Sequence, residues 1–86
     1  MIKRMSQQCY KVYVQAMTIS QRNLPVYLND MYRMLNKLDE ILTEYEQNDI
    51  AFTKEYTSLN KQWSDAEKSF YKMLRRWCKC NKMHQF

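Results

Sequence analysis

The sequence predicts an all-α protein: a short N-terminal helix, about 3–20, folded back on a long heptad-repeat coiled-coil helix, about 25–80. Three observations carry this expectation. The 86 residues include no Gly and a single Pro, so the residues that build tight turns are missing and a sheet has little to turn on. An apolar side chain recurs every seventh residue over most of the chain. The charges fall into basic, acidic and basic blocks.

The N-terminal helix rests on Ile2, Met5, Cys9, Val12, Ala16 and Ile19, which follow a 3–4 spacing and so share one helical face. The stretch Ser20-Gln21-Arg22-Asn23-Leu24-Pro25 interrupts it. Asn23 is a suitable N-cap for the next helix, and Pro25 suits its first turn, where no backbone donor is needed.

The long helix rests on the heptad. With Leu28 as position a, the a slots are Leu28, Leu35, Leu42, Asp49, Tyr56, Trp63, Phe70 and Trp77. The d slots are Leu24, Met31, Leu38, Tyr45, Phe52, Leu59, Ala66, Met73 and Cys80, and Asp49 is the only polar residue in either set. The outer f slots read Arg33, Glu40, Gln47, Lys54, Lys61, Lys68, Arg75 and Lys82, a solvated back opposite the seam. A strict period of seven on a 3.6-residue helix implies left-handed supercoiling against a partner. A break near Asn48-Asp49 is the alternative, since either residue can cap a helix. The repeat nevertheless passes through with its phase intact, and the expectation is one helix roughly 85 Å long.

Flanking apolar residues at Tyr27, Tyr32, Met34 and Ile41 widen the stripe in the first half only. An antiparallel N-terminal helix reaches about as far as residue 43, so it can cover that widened part. The organisation expected is one structural unit: residues 1–22 as the first helix, 23–82 as the long helix, and 83–86 as a frayed tail.

Such a seam is too long for the rest of the chain to shelter. Leaving Phe52, Tyr56, Leu59, Trp63, Phe70, Met73 and Trp77 in water forfeits on the order of 10 kcal/mol at 1.5–3 kcal/mol each. The partner-binding set is therefore Leu28, Leu35, Leu38, Leu42, Phe52, Tyr56, Leu59, Trp63, Phe70, Met73 and Trp77, with Asp49 setting register. A parallel homodimer stacks Trp63, Phe70 and Trp77 against their twins and Asp49 against Asp49, and no g–e pair is complementary. The expectation is a hetero-oligomer with other helical chains, favoured over a homo-oligomer, in which this protein is a non-enzymatic structural or scaffold subunit.

Other chemistry finds little support. Cys78 and Cys80 point about 200° apart on a helix, and Cys80 with His84 makes two ligands, too few for a zinc site. The bland reading puts Cys80 in the seam and Cys78 in solvent. There is one His and no Gly-rich phosphate loop or nucleophile elbow, so neither catalytic residue, cofactor, metal nor small-molecule substrate is expected. The alternative function lies in the basic segment 68–82: Lys68, Lys72, Arg75 and Lys79 share an outward stripe beside Tyr71. This stripe suits a helical adaptor for nucleic acid or an anionic membrane, although cations near a helix C-terminus also complement its dipole. The three Cys lack disulfide-like spacing, and neither a signal peptide nor a membrane span is read. The expected location is therefore intracellular, cytoplasmic or nuclear.

Overall fold

The N-terminus of the first helix is fixed by two carboxyl-type and hydroxyl acceptors from different parts of the chain. In the computed structural model, which describes residues 2–85 and the side chains of 2–81, α1 spans Gln7–Ile19. Ser6 is its N-cap, and the Ser6 Oγ accepts from the Cys9 N–H at 3.2 Å. The Ser6 N–H donates to Glu67 Oε2 at 2.8 Å. Glu67 thus plays across the fold the part that a Glu three residues on plays within a capping box.

Two further helices follow, α2 (Val26–Gln47) and α3 (Lys54–Gln85). Pro25 takes the N-cap position of α2, its carbonyl accepting from Leu28 and Asn29 N–H, both at 3.1 Å. Asn23, the expected cap, instead donates its N–H to the Ser20 carbonyl at 3.1 Å. The first helical residue is Val26, one later than Pro25.

The expected continuous helix from 25 to 80 is two helices, with the chain reversing over residues 48–53. The stop is built from backbone. Ile50 N–H donates to the Tyr45 carbonyl at 2.9 Å and Asp49 N–H to that of Glu46 at 3.3 Å, the paired bonds of a Schellman motif. Asp49 supplies the left-handed residue that motif needs, at φ 57°. The restart is Thr53, whose Oγ accepts from the Tyr56 N–H at 3.3 Å, an N-cap. The α1 terminus uses the same device: Arg22 N–H to Met17 carbonyl, 2.8 Å, and Gln21 N–H to Thr18 carbonyl, 3.2 Å, with Gln21 at φ 54°.

The physical reason for the reversal is burial. Each left-handed non-Gly residue costs about 1–2 kcal/mol, whereas an open seam forfeits several times that. Folding at 48–53 brings the two halves of the seam together, and the longest dimension is 50 Å against the roughly 85 Å of a straight helix.

The topology is up-down-up. Tyr45–Tyr56 and Tyr32–Phe70 ring contacts, with centroids 6.3 and 6.2 Å apart, pair α2 with α3 antiparallel. Tyr13 stacks on Tyr32 at 4.6 Å and Arg4 meets Asp39 at 3.0 Å, so α1 runs antiparallel to α2, but it does not cover the widened stripe as expected: Tyr27 and Met34 are exposed. Both pack on α3, which is the spine of the bundle.

The core follows from these contacts. Leu28, Leu35, Leu42, Trp63 and Phe70, expected to face a partner, are buried in the protein's own interior with Cys9, Ala16, Leu24 and Leu74. Trp63 adds a directed bond, its indole Nε1–H donating to the Leu35 carbonyl at 3.0 Å. Leu38, Tyr56, Leu59, Met73 and Trp77 are half-buried and packed against this core. The buried row on α3 runs Trp63, Phe70, Leu74, Cys78, the advance of a straight 3.6-residue helix rather than a strict heptad. That drift reverses the expectation for the cysteines: Cys78 is buried and Cys80 exposed. α3 continues to Gln85; the frayed tail expected at 83–86 falls on side chains outside the described ones.

Candidate interaction surfaces

The polar chemistry concentrates where the N-terminal segment crosses α2. Asp39 is buried, 3% exposed, and the chain supplies its partners from residues 3 and 4. Lys3 N–H donates to Asp39 Oδ2 at 3.1 Å. The Arg4 guanidinium lies 3.0 Å from Oδ1, an ion pair off hydrogen-bond line, and Arg4 Nη1 also donates to the Asp39 carbonyl at 3.1 Å. Arg4 Nη2 reaches Glu46 Oε2 at 2.9 Å, and the Tyr56 Oη donates to that same oxygen at 2.6 Å. The hydrogen bond to Glu46 is the main cause holding the Tyr56 phenol above its ordinary pKa, with burial adding to it. The network braces the N-terminal segment, the end of α2 and the start of α3.

Asp39 is therefore the buried acid of the fold, whereas Asp49, the expected register residue, is exposed in the turn. Sequence reasoning missed Asp39. The available signal was charge: a basic N-terminal block antiparallel to an acidic α2 brings Lys3 and Arg4 beside residue 39.

The thiols divide cleanly. Burial, reinforced by the nearby Glu67 carboxylate, pushes the Cys9 thiol up to about 12, so it stays protonated and unreactive at neutral pH. Burial is also the first cause raising the Tyr13 phenol, followed by Tyr32 stacked on it. Among the described residues no group of three or more His, Cys, Asp or Glu side chains is placed to hold a metal ion; the His84 side chain lies outside them.

Two surfaces remain open. Lys68, Lys72, Arg75 and Lys79 are all exposed on the outer face of α3. The Arg75 guanidinium carbon sits 5.6 Å from the centroid of the Tyr71 ring, a cation–π distance, and Tyr71, Lys72, Arg75, Arg76 and Lys79 line one shallow depression. The second surface is apolar and scattered. Phe52, the one residue of the expected partner-binding set left in solvent, is 83% exposed in the turn, and Val26 is 75% exposed. Tyr27 and Met34 on α2 and Tyr10 and Val14 on α1 are also exposed. A groove beside the N-terminal segment is lined by Ile2, Met5, Tyr10 and Lys11 among others. No described helix is long and apolar enough to cross a membrane.

Compared with known proteins, the chain matches no family model, no curated relative and no solved structure.

Proposed function

We propose that this protein is a non-enzymatic structural subunit that works by helix-to-helix association with other helical chains in a hetero-oligomer. One observation carries the reading: the heptad runs in phase through a turn that has no need of it. Leu42, Asp49 and Tyr56 keep the a beat and Tyr45, Phe52 and Leu59 the d beat, although residues 48–53 reverse the chain. A loop joining two independent helices is free to take any length, and phase is retained for a reason only if the two helices also act as one.

The mechanism follows from that phase. The α2–α3 hairpin is the form the chain takes alone, with its seam closed on itself. Partner helices offering an equivalent apolar stripe exchange with α3, the turn straightens, and the coiled coil runs from α2 into α3. Straightening relieves the left-handed Asp49 and moves Phe52 from solvent into the seam. The energy of opening is thereby offset, and the two forms are set apart by the quality of the partner rather than by the whole burial term.

The test separates the two roles of the turn. Inserting two glycines between Ala51 and Phe52 leaves the Schellman bonds and the Thr53 cap in place, releases to water the two exposed bonds that the Thr53 N–H and hydroxyl donate to the Ile50 carbonyl, and adds little closure entropy, below about 0.6 kcal/mol. It breaks the phase. Complexes recovered by the tagged chain from native extract are weighed intact. The expected result is a hetero-complex of defined mass with the natural chain, and none with the insertion variant, whose melting temperature stays near that of the natural chain. Equal recovery by both, or a complex made only of copies of this chain, overturns the reading.

A further inference from the structure

The outer face of α3 is separate from the seam, and it points to solvent whichever helices cover the seam. We infer that the stripe Lys68, Lys72, Arg75 and Lys79 is a binding site for the phosphate backbone of nucleic acid. The spacing of four, three and four residues sets these cations in line along roughly 16 Å of helix, a length over which duplex DNA presents about ten charges.

Three features favour a site over a merely solvated face. First, the cations are unspent. The ion pairs among the described residues both belong to Arg4, on Asp39 and Glu46, and Glu67, the acid nearest the stripe in sequence, is turned to the Ser6 N–H. Glu67 is the last acid of α3, and beyond it the helix carries none. Second, the helix dipole does not account for them, because its effect is confined to the last turn and Lys68 and Lys72 lie several turns before Gln85. Third, Arg75 is held on the Tyr71 ring, and Tyr71 is itself packed against the core. An Arg so oriented reaches a phosphate with less lost freedom than a free one.

The choice of nucleic acid over lipid rests on what surrounds the stripe. A helix that lies in a membrane interface inserts a large apolar face. The apolar face of α3 is buried in the bundle, and none of the large hydrophobic side chains exposed among the described residues belongs to it. The surface offers charge without an anchor.

The test is fluorescence anisotropy of a labelled random-sequence DNA duplex of about 20 base pairs, with the full chain. Four phosphate contacts predict that raising salt from 50 to 200 mM weakens binding roughly a hundredfold, and that removing three of them reduces the logarithmic salt slope to about a quarter. The variant Lys72→Glu/Arg75→Glu/Lys79→Glu is expected to lose binding by more than tenfold, and Lys72→Gln/Arg75→Gln/Lys79→Gln to follow it should the reversal disturb folding. The control Lys11→Glu/Arg33→Glu/Lys37→Glu makes the same change in net charge elsewhere and is expected to weaken binding much less. Equal loss in the control overturns the inference, as does tighter binding to vesicles rich in phosphatidylserine, or to polyglutamate, than to the duplex at matched salt.

Discussion

Trp63 decides whether the apolar seam belongs to this chain or to a partner. In the bundle it is 5% exposed and its indole N–H is bonded to the Leu35 carbonyl at 3.0 Å. Trp63→Phe keeps an aromatic ring but removes that bond, worth about 1 kcal/mol net, and opens a small gap; the loss is about 2 kcal/mol. Trp63→Ala leaves a cavity between α2 and α3 and costs about 3–5 kcal/mol. A chain of 86 residues has a total stability of about 4–13 kcal/mol, so the alanine variant is at the edge of folding and the phenylalanine variant is the informative one.

Urea unfolding followed by circular dichroism, at two protein concentrations tenfold apart, reads this directly. With a slope near 1 kcal/mol per molar urea for a protein of this size, Trp63→Phe lowers the midpoint by about 2 M. The shift is the same at both concentrations, because the cavity lies within one molecule. Two results refute the reasoning. One is a shift below about 0.5 kcal/mol for both variants, the behaviour of a surface residue. The other is a midpoint for the natural chain that climbs with concentration, which places the seam between chains even without a partner.

Four further outcomes follow. Asp39→Ala strands the Lys3 N–H and one side of Arg4, and a loss of about 2 kcal/mol is expected in thermal melts, with Asp39→Asn losing less because it keeps an acceptor; a neutral Asp39→Ala contradicts the N-terminal brace. Asp49→Gly removes a Cβ from a left-handed position and is expected to raise stability by about 0.5–1 kcal/mol, several degrees in melting temperature, whereas Asp49→Ala gives no gain. One thiol, Cys80, reacts with a disulfide reagent in the native protein, and Cys9 and Cys78 become reactive only on unfolding. The Cys9 thiol also sets a pH dependence: its folded value, raised from 9.0 to about 12, stabilises the fold fully below pH 9 and that contribution is lost as pH rises from 9 to 12. Melting curves of Cys9→Ala, compared with the natural chain across that range, are expected to fall less steeply.

Much of the helical content was legible because periodicity is a local property. The 3–4 spacing of Cys9, Val12 and Ala16 gives α1, and most a and d residues of α2 and α3 fill or line the core, although Cys80 is exposed and Leu74 and Cys78 are buried from outside those slots. The packing of α1 was not legible: the widened stripe on α2 pointed to α1 as its cover, yet Tyr27 and Met34 are exposed and α1 packs mainly on α3. Nor was the reversal. Its stop, Asn48-Asp49, is a pair that tolerates left-handed backbone without being Gly, and its start, Thr53, is an ordinary capping residue. Each signal is weak beside an unbroken heptad, and the deciding quantity, burial of α3 against α2, is not local.

The exchange of Cys78 and Cys80 shows how one error propagates. A heptad assumption places Cys80 at d and Cys78 outward, since it supposes a helix wound to 3.5 residues per turn by a long-range partner. Once the chain reverses, α3 packs over a shorter length beside two helices, nothing enforces the supercoil, and the buried row drifts from Phe70 to Leu74 to Cys78. The identity of the buried thiol is thus a readout of the helix's winding. If partner helices open the hairpin and re-impose the heptad, Cys80 moves toward the seam and Cys78 away from it. Thiol reactivity in the assembled complex, set against that of the isolated chain, therefore reports the straightened form without any need to see it: Cys78 gaining and Cys80 losing reactivity supports opening, and an unchanged pattern refutes it.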